Sequence, residues 1–312
     1  MSITETPGAT TAAGAAGAEY AGAVLHMARR YAAGIPAGQR NEVDKAVWAA
    51  LDRIPDASQT VAKMVRRVDG LAETRKKELF GSTYAFQPAG TALGRTDLEA
   101  IINGLGGTER PADTKPVKHK FELEFDHLVL VDESNPEWAG KDEPYTVFAI
   151  TTQADADAGK EARAVRTPVY SLNEGERGPA SGSQNLRLFG PTGPAQINSD
   201  VLMMITAMEH DNSDLQDVVG TIATALTVAA AVATAAGKKL LAAALGIASS
   251  VAGLIAAGLA DDQVGNTLPF GLTNAEAEAK TASDAKVTLP ALRFDGGDAN
   301  GVHQVFLTLS RV

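Results

Sequence analysis

The sequence predicts an α+β multidomain chain: an N-terminal helical region followed by an antiparallel β-sandwich that an α-helical hairpin interrupts. Three observations carry this. Apolar residues in the first hundred positions recur at steps of three and four, the period of one helix face. After residue 117 they alternate with polar ones, the period of a strand half in water. Between residues 215 and 260 neither period holds, and two stretches of about twenty residues are free of charge. The expected division is a flexible tail over 1–22, a helical domain over 23–105, a linker over 106–117, and a sandwich over 118–312 holding the hairpin 215–260.

Residues 2–22 read SITETPGATTAAGAAGAEYAG, with acidic residues and no leucine run. A secretion signal needs early positive charge and an apolar core, so none is recognised here. The Ala/Gly/Thr content predicts a flexible tail grading into a helix. Tyr20 to Ala33 is the first helical pattern, Ala-rich with few breakers. In Asn41 to Ile54, the positions Val43, Val47, Leu51 and Ile54 share one face. Asp56 is placed as an N-cap, and Val61, Met64, Val65, Val68 and Leu71 repeat the spacing after it. A short fourth helix is expected from Asp97 to Asn103, ended by Gly104. Then GGTERPADTKP, Gly106 to Pro116, has linker content. Arg66-Arg67 and Arg75-Lys76-Lys77 read as solvated helix surface, or as a docking surface for a delivery partner or an anionic membrane.

Phe121, Leu123 and Phe125 alternate with Glu122, Glu124 and Asp126, a half-buried strand. Further strands are expected at Leu128–Val131, Tyr145–Thr151, Ala164–Tyr170, Asn185–Phe189, Val201–Met208, Val287–Phe294 and Val302–Leu309. Short strands between Gly/Pro/Asn-rich turns favour an antiparallel sandwich over a parallel α/β sheet.

The interruption has its own chemistry. Val218 to Gly237 and Leu240 to Ala260 carry no charge, and only Lys238 and Lys239 lie between them. Each stretch has the length that crosses a bilayer, about 20 residues. The first holds six strongly apolar residues (Val218, Val219, Ile222, Leu226, Val228 and Val232), and the second holds eight, among them Leu245, Ile247, Leu254 and Ile255. At about −0.3 to −0.6 kcal/mol each, that is roughly −2 to −5 kcal/mol per helix before penalties for Gly, Ser and Thr. Obligate spans are greasier. Gly246, Ala248, Ser249, Ser250, Ala252 and Gly253 also permit very close helix packing. Three readings follow: a hairpin that lives in water until triggered to enter a membrane, an Ala-rich hairpin buried in its own protein or against a partner subunit, and, least favoured, a constitutive integral membrane protein.

Composition narrows the function. The chain has 45% apolar residues, 5% aromatic residues, a formal charge of −10 and no cysteine. Disulfide scaffolds, thiol catalysis and Cys-ligated zinc are excluded. Acidity argues against nucleic acid as a partner, since phosphate binding needs a basic face. Residues 1–117 hold 14 basic against 13 acidic side chains, and residues 118–312 hold 14 against 25, so the acidic excess belongs to the second part. No nucleophile elbow, phosphate-binding loop, dinucleotide fingerprint or zinc-protease motif occurs, and the chain is not expected to be an enzyme. His210 reads as a polar loop residue or a neighbour of carboxylates. Trp138 reads as an interfacial anchor or a rim-packing residue. The turn-rich run Asp295 to Gly301 explains itself as a loop, with a second cation site as the lesser alternative.

Acidic clusters flank the hairpin in the sequence. Val201–Met208 runs into Glu209-His210-Asp211, and the second helix returns at Asp261-Asp262-Gln263-Val264-Gly265; earlier, a strand ends at Asp132 and a loop leads to Gly140-Lys141-Asp142-Glu143-Pro144-Tyr145. Hard cations take six to eight oxygen ligands from loops of this kind. These residues resemble a C2 domain, the calcium- and phospholipid-binding β-sandwich, over about 118–214 and 261–312. Carried over by position, the resemblance implies Asp132, Glu143, Glu209, Asp211 and Asp262 as Ca²⁺ ligands, with Glu143 and Glu209 standing where the family has aspartate. In that family the third loop meets lipid, and here it carries the hairpin. Hairpins of similar Ala/Gly character occur in pore-forming bacterial toxins, which is analogy alone. The expectation is a calcium-dependent protein, toxin- or effector-like, that binds an anionic phospholipid membrane. Its hairpin, with Val218, Ile222, Leu226, Lys238, Lys239, Leu245, Ile247, Leu254 and Ile255, inserts or permeabilises, alone or as a homo-oligomer. Its resting form is expected to be soluble and cytoplasmic, then released or delivered to its target. The alternative is a non-enzymatic structural or assembly module.

Overall fold

The structure, a computed structural model, describes residues 10–106, 117–134, 141–182, 184, 186–211, 214–257 and 262–312. It is α+β: N-terminal helices, then two antiparallel sheets with an inserted helical pair. The chain forms two compact units. One comprises Met1–Arg110, Thr151–Ala162 and Gly220–Gly258, and the other Pro111–Ile150, Arg163–Val219 and Leu259–Val312. The inserted helices therefore belong to the helical unit, although the sheet-forming segments flank them in sequence.

The helical unit is built from α1 (Thr10–Ala32), α2 (Glu42–Leu51), α3 (Ala57–Asp69), α4 (Glu73–Phe80), α5 (Arg95–Gly104) and the short α6 (Gln153–Asp157), together with α7 (Leu215–Ala235, its first turn outside the unit) and α8 (Leu240–Ala256). Helix α1 begins at Thr10, so the stretch 10–22 expected as tail is helical; residues 1–9 lie outside the described residues. Alanine has the highest helix propensity, and tertiary contact overrides the cost of the interspersed glycines. Those glycines are where neighbours come closest. A Cβ at Gly17 would collide with Ser249 Oγ, and one at Gly22 would collide with the Phe80 carbonyl oxygen.

Asn41 caps α2 by accepting from the Asp44 N–H, and Asp44 answers with a bond to the Asn41 N–H, a complete capping box. Asp56 stands at the N-cap of α3 but takes a left-handed φ of 56° and makes no side-chain capping bond, so its expected role is not filled. Gly237, at φ 71°, ends α7 before the two lysines. Tyr20, Leu25, Met27, Val47, Leu51, Val61, Val68, Phe80, Leu98, Ile222, Leu226, Val232, Leu240, Ile247 and Val251 are all buried.

The second unit holds β1 (Phe121–Asp132), β2 (Pro144–Thr152, its last two residues in the first unit), β3 (Arg163–Arg166), β4 (Arg177–Gly178), β5 (Leu186–Phe189), β6 (Val201–Glu209), β7 (Asp262–Leu272), β8 (Lys286–Thr288), β9 (Leu292–Asp295) and β10 (Val302–Arg311), with α9 (Asn274–Lys280) and α10 (Gly297–Asn300). One sheet runs β4-β1-β10-β8, with β5 also on β1 and β9 also on β10; the other runs β3-β2-β6-β7. Phe125 of the first sheet meets Phe148 of the second at 5.8 Å between ring centroids, within a core that both sheets share.

Several strands depart from the expected bounds. The pair Phe121–Phe125 and Leu128–Val131 is one strand, β1, whose register shifts between Phe125 and His127. That bulge reverses the inward face, which made one strand look like two. The expected strand Val287–Phe294 divides into β8 and β9 around Pro290, and both pairs lie on β10. The expected strand Ala164–Tyr170 ends at Arg166. Strand β7 was unforeseen because Gly265, Pro269 and Gly271 punctuate it; it is an edge strand, where proline forfeits no ladder bond.

Candidate functional site

The inserted pair is the first candidate. Helix α7 is 21 residues long and apolar enough to cross a membrane by length and composition, yet 78% of its most apolar window is buried within the protein. Helix α1 lies along α8 and reaches α7 through Tyr20. A Cβ at Gly246 of α8 would stand 2.7 Å from Tyr20 Cγ and 2.8 Å from Leu105 Cδ1. The Tyr20 hydroxyl crosses to α7 and donates to the Ala229 carbonyl at 2.6 Å. Burial pushes that phenol far up, so it stays a neutral donor. At Gly253 of α8, a Cβ would lie 3.2 Å from the Phe80 ring of α4. On α7, Thr227 accepts from the Ala162 N–H at 2.9 Å; the N-terminus of α8 donates from the Leu240 N–H to Gln153 of α6 at 2.8 Å.

Of the residues expected to meet lipid, Val218, Ile222, Leu226, Ile247, Leu254 and Ile255 are buried. Leu245 is 36% exposed, and Lys238 and Lys239 are half-buried at the turn. The small residues explain the fit: glycine lets α1 and α8 approach closely at Gly17 and Gly246. The segment that reads as a membrane hairpin is a sheathed one.

The acidic rim of the second unit is the other candidate. Glu209 ends β6 and pairs in register with Asp262, the first residue of β7. The Glu143 N–H approaches Glu209 Oε1 at 3.4 Å, and Glu143 in turn accepts from the His210 N–H at 3.1 Å. Glu209, Asp262 and Glu143 are thus brought together. Asp211 bears on Glu209 by charge, and Asp132 pairs with Val302 at the end of β1. Asp132, Glu143, Asp211 and Asp262 are exposed, whereas Glu209 is half-buried with its Oε2 unpartnered. Loss of hydration pushes the Glu209 carboxyl up to about 7; the charges of Asp142 and Asp211 add to the rise, and bonds from Glu143 and Ser134 oppose it.

Sequence reasoning passed over two neighbours. Asp142 is buried and accepts from the Ser134 N–H at 2.7 Å and the Ser134 hydroxyl at 3.0 Å. His303 of β10 is 1% exposed, and neither ring nitrogen has a partner. Burial holds its pKa down to about 4, with Asp142 pulling the other way. No spacing rule marks either residue, since both depend on which strands end at this edge.

Among the described residues, no group of three or more His, Cys, Asp or Glu side chains is arranged to hold a metal ion. The donor set implied for Ca²⁺ does not assemble there, so no step below is routed through calcium. Trp138, Gly140 and Asp261 lie outside the described residues. A comparison with family models, with curated proteins and with solved structures returns no match, and the geometry of these two sites stands by itself.

Proposed function

We propose that this is a membrane-active, non-enzymatic protein that carries its inserting element, the α7–α8 pair, sheathed by its own α1. One observation supports the reading above the others: an apolar helix of spanning length, charged only at Asp217 in its first turn, that is mostly buried within the protein instead of by lipid. An apolar surface of that size left in water would aggregate, and a small-residue sheath keeps it soluble without forming an obligate span. The C2-like resemblance of the sheet unit agrees with a lipid-facing role. Insertion then requires α1 to leave α8.

The test uses the absence of cysteine. In Gly17→Cys with Ser249→Cys, the two Cβ atoms lie about 3.2 Å apart, a few tenths of an ångström short of disulfide span. The oxidised variant is expected to leave anionic liposomes intact, and reduction is expected to restore dye release to the unmodified level. Absence of binding and leakage by the unmodified protein, with and without calcium and at neutral and mildly acid pH, overturns the reading.

A second reading has its own support. Most apolar residues of α7–α8 are buried within the protein, as a structural or assembly module requires. A defined oligomer in detergent-free solution, together with inactivity on liposomes, favours it.

A further inference from the structure

We propose that His26 is an acid-sensitive latch, holding α1 clamped while its imidazole is neutral and freeing α1 from the α7–α8 pair when it takes up a proton. The purpose of the latch rests on the membrane-active reading; its operation concerns the helical unit alone.

His26 is wholly buried on α1. Its Nε2 lies 2.8 Å from the Thr91 carbonyl oxygen, so Nε2 carries the hydrogen and donates. Nδ1 is then the proton-accepting nitrogen, and it is buried with no partner. A proton arriving there makes a buried N–H that no group among the described residues receives.

The surrounding charges make matters worse for the cation. One turn further along α1 stand Arg29 and Arg30. Arg30 is buried and spends its fork on both oxygens of Asp44 from α2, at 2.8 and 2.7 Å, and on the carbonyls of Ala89 and Thr91, at 2.6 and 2.7 Å. Arg29 is engaged by Asp69 from α3 and by the Ala85 carbonyl. The carboxylates brought by α2 and α3 are thus already committed to the arginines. The segment 85–91 supplies carbonyls, and α8 contains no titratable side chain. Thr91 receives both His26 and Arg30, so an imidazolium would crowd a guanidinium on one acceptor.

Burial, with help from Arg30 and Arg29, holds the imidazole below its usual 6.5 against the pull of the Thr91 carbonyl and Asp44. The clamped state binds the proton less well than a released one. Its stability is complete above 6.5 and is lost as the pH falls below that value toward the clamped-state pKa. The consequence reaches the sheath through one rigid element. The same helix that is pinned at His26, Arg29 and Arg30 covers α8 at Gly17 and Tyr20 and bonds Ala229 of α7.

The test is hydrogen exchange of the full chain without liposomes at pH 7.5, 6.0 and 5.0, corrected for the intrinsic pH dependence of amide exchange. Protection over 10–32 and 240–256 is expected to fall at least about tenfold between pH 7.5 and 5.0. In His26→Gln, whose amide still donates to Thr91 but takes no proton, the change is expected to stay within about twofold. No loss in the unmodified protein, or equal loss in both proteins, overturns the latch. If His26→Gln does not fold, the imidazole titration followed by NMR in the unmodified protein decides. A midpoint below 6.5 that coincides with loss of α8 protection supports the latch, and a midpoint at or above 6.5 overturns it. Dye release measured in parallel separates the two proposals. Exchange loss without leakage keeps the latch and removes the membrane reading; acid leakage unchanged in His26→Gln does the reverse.

Discussion

Asp142 and Glu143 are neighbours in the sequence and opposites in the structure: the first is buried on Ser134, the second exposed beside Glu209. Asp142 is held by an isolated bridge to Leu172 and by Ser134 just before β2, and no residue-type rule anticipates it. The same geometry leaves Glu209 half in water with one oxygen unpartnered. Its raised pKa, near 7, carries a definite sign. The folded state holds the proton better than the unfolded one, so the contribution is full below about 4.5 and is lost as pH rises through 7. Glu209→Gln is therefore expected to raise stability at pH 8 by about 1–2 kcal/mol, discounted for the solvent-facing side, with little change at pH 4.5. Urea melts at the two pH values read this directly. His303 works in the opposite sense. With a folded pKa near 4, below the usual 6.5, it withdraws stability as the pH falls between those values. His303→Leu is expected to flatten that acid limb by about 3 kcal/mol, measured as the difference between denaturant midpoints at pH 7 and pH 4.

Helix positions were legible wherever a periodic face met a breaker. Val43, Val47 and Leu51 locate α2, and Gly237 closes α7. Helix α4 was less legible, because its ETRKKELF sequence lacks an apolar stripe and buries only Phe80. Strand β7 escaped because proline and glycine mark turns in a sequence but are tolerated at a sheet edge. At this scale the load falls on packing that admits no side chain and on one buried ion pair. Gly246→Val forces a side chain against Tyr20 and Leu105 and is expected to cost about 1–3 kcal/mol in thermal or urea unfolding. Asp44→Ala strands the buried Arg30 guanidinium and is expected to cost about 3–5 kcal/mol, whereas Asp44→Leu with Arg30→Met recovers most of that loss. Recovery in the double variant distinguishes an uncompensated charge from a packing defect.

At the scale of the whole molecule, the inserted helices belong with residues more than a hundred positions away. Tyr20 meets Ala229, and Gly17 meets Ser249. Trypsin is expected to spare Lys238 and Lys239 at neutral pH while the sheath is closed, and Tyr20→Ala, which removes the ring under Gly246, is expected to speed cleavage there. Digestion followed by mass spectrometry checks both. By itself the sequence determined the fold class, the succession of a helical region, strands and an inserted helical pair, and the confinement of acidic excess to the second part. Each of those depends on local period and composition, which physical chemistry reads over a window of a few turns. Only the tertiary structure decided that α1 begins at Thr10 and covers α8, that Asp142 and His303 are buried beside Glu209, and that His26 Nδ1 has no partner among the described residues. Those are long-range matters. Whether an apolar helix is covered by lipid or by protein, and whether a buried nitrogen finds an acceptor, depends on which distant segments close over it, and one-dimensional spacing carries no such term.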